Sequence, residues 1–137
     1  MGKMIRENPE ALAALYTDIA NQTIRELPQG WMRVVIGLAI DNKGYETFLV
    51  YYSMDRGESF RDFIAESFDF DEPAEGLFEA KELCQKLHEL CKRYGDDWRQ
   101  FALTVDCNGS FTADFNYEPM ETFSNLHLRV WRGRYLH

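Results

Sequence analysis

Long apolar runs are missing from this sequence, and cysteine is scarce. No stretch approaches the ~20 consecutive apolar residues that a membrane helix needs, which argues against a membrane protein. The 3 cysteines, Cys84, Cys91 and Cys107, are too few and odd in number for the disulfide framework of a small secreted domain. The first residues also lack the apolar core of a signal peptide. We therefore predict a cytoplasmic protein.

Basic residues are in the minority. The chain has 15 Lys and Arg against 23 Asp and Glu, which gives a net charge of −8. Proteins that bind nucleic acid contact phosphates through Lys and Arg, and anionic membranes attract basic segments. The charge balance therefore opposes direct nucleic-acid binding and recruitment to a membrane. It favours solubility and attraction to basic partners.

Apolar and polar residues alternate from Phe101 to Tyr117, which predicts a β-hairpin. Successive side chains of a strand lie on opposite faces, so each arm has an apolar face and a mostly polar face. Asn108-Gly109 tolerates the positive φ angles of a type I′ turn. Since a two-stranded ribbon is not stable alone, we expect helices to cover the apolar face. That face has Phe101, Leu103, Val105, Cys107, Phe111, Ala113, Phe115 and Tyr117, and the polar face has Asp106, Asp114, Asn116 and Glu118.

The remaining elements suggest one α+β domain over residues 1–137, because 137 residues with 45% hydrophobic content can bury one core. We predict an antiparallel sheet of two hairpins, packed against two long helices and a short C-terminal helix. A short extra strand near Ser59–Asp62, or a short helix in its place, is also consistent with the pattern. The predicted elements are a helix from Asn8-Pro9 to Pro28, strands at Trp31–Ile40 and Tyr45–Met54, a helix from Asp71–Pro73 to Gly95, and a helix within Met120–His137.

Cys84, His88 and Cys91 share one predicted helix face, but we do not expect a metal there. At 1.5 Å per residue the two cysteines lie about 10 Å apart along the helix, too far for converging ligands or a disulfide. We interpret them as buried thiols beside a boundary histidine. A nucleophile pair of Cys107 with His127 or His137 has no supporting motif. We predict no metal, no cofactor and no catalytic residues.

The polar hairpin face supports a second hypothesis. Asp106 and Asp114 are expected to be cross-strand neighbours, and paired carboxylates can perform acid–base chemistry. A small-ligand-binding or enzymatic α+β domain using this face is therefore an alternative, although such a pair is more often a solvated edge. A structural subunit of a larger assembly is a third hypothesis.

Acidic and aromatic residues are interleaved from Glu58 to Glu75, which we call the acidic aromatic segment. It contains 7 carboxylates and one basic residue, Arg61. Rigid aromatic anchors surrounded by charge are typical of an interface with a basic partner, although the rings could equally be core residues. The predicted partner-binding residues, from this segment and the polar hairpin face, are Glu58, Asp62, Phe63, Glu66, Phe68, Asp69, Asp106, Asp114 and Asn116.

The hairpin and the tail resemble the YezG/EsaG-type immunity proteins. The similar motifs are Asn-Gly-Ser-Phe-Thr-Ala-Asp-Phe-Asn-Tyr-Glu at 108–118, Arg-Val-Trp-Arg-Gly-Arg-Tyr-Leu at 129–136, and Leu27-Pro28 followed by Trp31. The resemblance implies a cytoplasmic antitoxin that binds and neutralises a secreted polymorphic toxin, commonly a nuclease with a basic cleft. It implies a binding module without catalytic residues. An acidic inhibitor can cover a basic cleft by electrostatic complementarity.

Overall fold

The computed structural model describes residues 8–137, which form nine helices and strands. The predictions about the first residues lie outside this range. In chain order the elements are α1 (Pro9–Ile24), β1 (Arg33–Ile40), β2 (Glu46–Ser53), β3 (Arg61–Asp62), α2 (Phe63–Ser67), α3 (Glu75–Arg93), β4 (Gln100–Asp106), β5 (Phe111–Asn116) and α4 (Asn125–Tyr135). The described residues form two compact units, a helical unit of 8–27 and 74–98 and a sheet unit of 28–73 and 99–137.

In the helical unit, α1 and α3 pack against each other at a point that requires glycine. Pro9 occupies the start of α1, where its missing N–H costs nothing. A Cβ on Gly76 would lie 2.2 Å from the Gln22 carbonyl oxygen, so only glycine fits at this approach. The backbone N–H of Gly76 donates to Glu26 across 2.7 Å. Gly95, at a φ of +86°, follows α3 in the left-handed conformation that commonly ends helices.

The sheet unit contains an antiparallel sheet with the strand order β3-β2-β1-β4-β5. Strand β1 pairs with β2 on one side and β4 on the other, so the two predicted hairpins meet along it. Both alternatives for the segment near residue 60 are present, because the two-residue β3 runs directly into α2. The α+β class and the antiparallel sheet are thereby confirmed.

Helix α4 packs on one face of this sheet through Trp131. The ring belongs to a buried cluster with Val35, Leu49, Tyr51 and Ala102. Val35 lies on the same face of β1 as Gly37 and Ala39, whose small size admits a close neighbour. The opposite face of the central strands is also buried, with Ile36, Leu38 and Leu103 fully inaccessible, as expected for strands covered on both sides.

The hairpin between β4 and β5 corrects two predictions. No described residue other than glycine has a positive φ, so the turn is not type I′. The N–H of Gly109 donates to the Asp106 carbonyl and the N–H of Asp106 donates to the Ser110 carbonyl, both across 2.9 Å. This is a three-residue loop that places Gly109 alone in the left-handed region, at a φ of +92°.

The second correction concerns the cover of the apolar hairpin face. Phe101, Leu103 and Val105 are buried as predicted. Phe111, however, is 49% exposed, and Phe115 is only half-buried. The difference arises because β5 is the last strand of the sheet, where a side chain has strand neighbours on one side only.

Between residues 8 and 137 no helix combines the length and apolar character needed to cross a membrane.

Candidate partner-binding surface

The sheet unit contains most of the acidic aromatic segment, residues 58–73, and anchors it along β2. Strand β3 pairs Asp62 with Tyr51 and Arg61 with Tyr52. Asp62 then caps α2, because its carboxylate accepts a hydrogen bond of 3.1 Å from the N–H of Ala65. The exposed carboxylate of Asp62 therefore has a role in shaping the segment.

Phe63 is a core residue of the segment and not a surface anchor. It is 1% exposed. Its ring meets Tyr52 edge-on, with centroids 5.4 Å apart, and lies 5.6 Å from the ring of Phe70. Of the predicted binding residues, Phe63 is thus buried, and it packs the segment against β2.

Glu66 is held between two side chains of the sheet. Its Oε1 accepts a hydrogen bond of 2.5 Å from the Tyr52 hydroxyl, and its Oε2 forms an ion pair of 2.7 Å with Arg61 Nε. Burial, together with the hydrogen bond to Glu66, raises the pKa of Tyr52 to about 12. Glu66 thus connects α2 to the sheet and has little freedom to serve a partner.

The exposed part of the segment begins at Phe68. Its ring is 84% exposed, the highest exposure of any large hydrophobic residue that the structure describes. Phe70 is 42% exposed, and the side chains of Asp69, Asp71 and Glu72 are also exposed. Residues 68–72 therefore present an exposed aromatic ring to solvent with exposed carboxylates next to it in the chain.

Glu58 lies at the start of the segment, after a turn organised by Asp55. The Asp55 carboxylate accepts hydrogen bonds from Ser53 Oγ at 2.5 Å, Ser59 Oγ at 2.7 Å and the N–H of Glu58 at 2.9 Å. The hydrogen bonds from Ser53 and Ser59 hold the pKa of Asp55 well below its usual range. This turn fixes the backbone at Glu58, whose side chain is exposed.

The predicted residues on the hairpin do not form a carboxylate pair. Asp114 lies opposite Ala102, four residues along β4 from Asp106, which corresponds to about 13 Å. Asp106 is paired with Arg33 Nε at 2.6 Å, and Asp114 accepts a hydrogen bond from Tyr135. The expectation that the two aspartates are cross-strand neighbours was wrong, because the hairpin register separates them.

The polar hairpin face is partly occupied by the end of α4. An open groove of about 510 Å³ remains there. Tyr135 lines it, and burial together with the hydrogen bond to Asp114 raises the pKa of Tyr135 to about 12. Asn116 accepts from the N–H of Glu118 at 2.8 Å and so shapes the chain after β5. The groove is lined by Ala102, Thr104, Thr112, Asp114, Arg134, Tyr135 and His137.

Two of the cysteines and two of the histidines have structural roles. Cys84 and Cys91 are buried, and His88 bonds Asp97 at 3.0 Å. The ring of His127 is within 2.9 Å of Ser124 Oγ, where it takes part in the N-terminal cap of α4. Within residues 8–137, no three His, Cys, Asp or Glu side chains form a group able to hold a metal ion.

Sequence reasoning did not single out Phe70, Asp71 and Glu72 within the segment. They adjoin Phe68 and Asp69 in the chain and are exposed with them. The sequence shows the same alternation of rings and acids throughout, so it cannot separate Phe63, which is buried, from Phe68. A short helix that starts at an Asp cap and ends before Phe68 is the signal that would have separated them.

The described residues have an α+β fold whose sheet unit presents an exposed aromatic ring beside carboxylates. The sequence profile of a family described as "Immunity protein YezG-like" matches residues 12–136, and the chain therefore belongs to that family of immunity proteins. Such families are generally non-enzymatic and act on a toxin partner. A search of curated proteins found no match to the chain.

Proposed function

We propose that this protein is a cytoplasmic antitoxin that neutralises a cognate polymorphic toxin with a basic nuclease domain, through an acidic surface. One observation carries the assignment of the surface. Phe68 is 84% exposed beside the exposed carboxylates of Asp69, Asp71 and Glu72, in a chain of net charge −8. Membership of an immunity family supports the role of toxin inhibitor.

The surface of this protein that meets the toxin is expected to be acidic because of what a nuclease must bind. A nuclease cleft contacts phosphates through Lys and Arg and is therefore basic. Carboxylates opposite that cleft raise the association rate, and an aromatic ring buried at the contact slows dissociation. Within residues 68–72, the carboxylates are thus expected to change the association rate and the aromatic ring the dissociation rate.

The test is to replace Asp69, Asp71 and Glu72 by Lys and to measure toxin binding at several salt concentrations. These side chains make no described contact that the fold needs, whereas Asp62 and Glu66 cap and anchor α2. We expect slower association and a weaker salt dependence, because salt screens exposed charges over about 8 Å. Circular dichroism first establishes that the variant is folded.

A matched control separates local charge from net charge. Replacing the exposed Glu82, Glu89 and Glu121 by Lys also changes the net charge from −8 to −2, away from Phe68 in the chain. The candidate toxin is the product of the adjacent gene, purified as an inactive variant for binding and used active in a nuclease assay and a toxicity-rescue assay. Equal association rates for the two triple variants would place the interface elsewhere, and a toxin without nuclease activity would refute that part of the proposal.

A further inference from the structure

The two edges of the sheet differ in how they are protected from pairing with another strand. At one edge, β3 has only two residues, Arg61 and Asp62, both charged, and α2 follows at once. Short, charged edge strands are a common protection against edge-to-edge association. At the other edge, β5 is six residues long and contains no Lys, Arg or Pro.

Strand β5 also presents its backbone to the outside at its centre. The order of the sheet places β4 on one side of β5, and among residues 8–137 no strand lies on its other side. The N–H of Asp106 donates to the Ser110 carbonyl, so residues an even number of positions from Ser110 direct their backbone groups towards β4. Ala113 lies between two of these residues, and its N–H and C=O therefore point to the outer edge.

The sequence of β5 is complementary to itself in one antiparallel register. If two copies pair about a two-fold axis at Ala113, Phe111 lies opposite Phe115 of the other copy, and Thr112 lies opposite Asp114. Aromatic pairs and hydrogen-bonding polar pairs both stabilise antiparallel strands. Two alanines at the axis leave room for the close approach of the chains.

Neighbouring registers are less favourable. A register centred on Asp114 places two aspartates directly opposite each other, which is destabilising. A register centred on Thr112 pairs fewer residues of β5. A shift by a single residue would place side chains of opposite faces against each other.

We propose that β5 pairs antiparallel with β5 of a second copy of this chain, centred on Ala113, to give a two-fold symmetric dimer with a continuous sheet of ten strands. The pairing uses the outer edge of the strand. It leaves in place the interactions that Phe111 and Phe115 already make within the chain, such as the 5.3 Å ring contact between Phe101 and Phe115.

The dimer is tested on the full chain without toxin, so the result is independent of the proposed function. Sedimentation equilibrium from low to high micromolar concentration should give twice the chain mass of 16.1 kDa. Ala113→Pro removes an N–H that points away from β4, so it should leave the protein folded but monomeric. Ala113→Ser retains the N–H and should remain dimeric.

Charge at Thr112 tests the register, and it decides the proposal even if the proline variant does not fold. In the dimer of Thr112→Lys, a positive charge lies opposite Asp114 of the second copy at two symmetry-related positions. Thr112→Asp places like charges at the same two positions. We expect dimer dissociation constants that are lower for Lys and higher for Asp, each by roughly 2- to 30-fold relative to wild type. A monomeric wild type, a dimeric folded Ala113→Pro, or equal dissociation constants for the two Thr112 variants would overturn the proposal.

Discussion

The ring of Trp131 lies so close to the backbone of Gly37 that a Cβ on this glycine would be 2.4 Å from Trp131 Cζ2. The contact joins the last helix, α4, to the central strand, β1. It also explains why β1, otherwise rich in β-branched residues, contains a glycine at its middle.

Gly37→Ala should therefore destabilise the protein. The added methyl group would also lie 2.9 Å from the Phe101 carbonyl oxygen, so it meets backbone as well as a ring. Overpacking of a core typically costs about 1–3 kcal/mol, and we expect the free energy of unfolding, measured with urea, to fall by that amount.

Gly133→Ala is the matched control on α4. A Cβ at this position has no atom within 4 Å, and alanine favours a helix over glycine by about 0.8–1.0 kcal/mol. This variant should be more stable than wild type. If Gly37→Ala were equally well tolerated, α4 would not pack on β1 as described.

The origin of this contact shows how far sequence reasoning extends. Alternation in β1 places Val35, Gly37 and Ala39 on one face, and the small residues there leave room for a close neighbour. The periodicity of the tail predicted a short helix packed on the sheet. Neither pattern could specify that Trp131 fills the space over Gly37, because that depends on the position of the whole helix.

The hairpin register shows where sequence reasoning stops. Asp106 and Asp114 have the right parity to share a face, and they do. A two-residue turn at Asn108-Gly109 would pair Cys107 with Ser110 and place Asp114 opposite Leu103, on the other face of the hairpin from Asp106. The three-residue loop that Gly109 closes brings both aspartates to one face but leaves them about 13 Å apart. Neither loop makes the two aspartates cross-strand neighbours, and the expected carboxylate pair is not formed.

The burial of Tyr52, together with its hydrogen bond to Glu66, should make the stability of the protein depend on pH in the alkaline range. The pKa of Tyr52 is about 12 in the folded protein, above the ordinary value of about 10. Its contribution is therefore fully present below pH ~10 and is lost as the pH rises towards 12. Wild type should lose stability over this range more steeply than Tyr52→Phe, as measured by urea unfolding.

The Tyr52→Phe variant also tests how Glu66 is held. Hydrogen bonds to charged groups contribute about 1.5–3 kcal/mol, and we expect a loss of that order at neutral pH. Tyr45→Phe is the control, because Tyr45 is 71% exposed. Parallel pH profiles for wild type and Tyr52→Phe would show that this hydroxyl does not contribute.

Replacing Cys84 and Cys91 together by Ala should leave the protein folded. Both thiols are buried in the helical unit, where they fill space. We expect a loss of about 1 kcal/mol for each, typical of a single core substitution. Elemental analysis of the purified wild type should detect no bound zinc; stoichiometric zinc that is lost in the double variant would contradict the reading of these cysteines as packing residues.

Phe68 and Phe63 provide the sharpest test of the binding surface, because they are five residues apart and differ in exposure, 84% against 1%. Phe68→Ala should change the free energy of unfolding by no more than about 0.5 kcal/mol, as expected for an exposed position. Phe63→Ala should cost about 3–5 kcal/mol, because it empties a core site against Tyr52 and Phe70.

Toxin binding should show the opposite order of effects where the protein remains folded. A central aromatic anchor contributes about 2 kcal/mol or more, so Phe68→Ala should raise the dissociation rate about thirtyfold or more, with little change in association. Tyr45→Ala, at another exposed aromatic of the sheet unit, is the comparison. If Phe68→Ala and wild type dissociate from the toxin at the same rate, the exposed ring is not an anchor. The assignment of the neighbouring carboxylates to the toxin-binding surface would then lose its support.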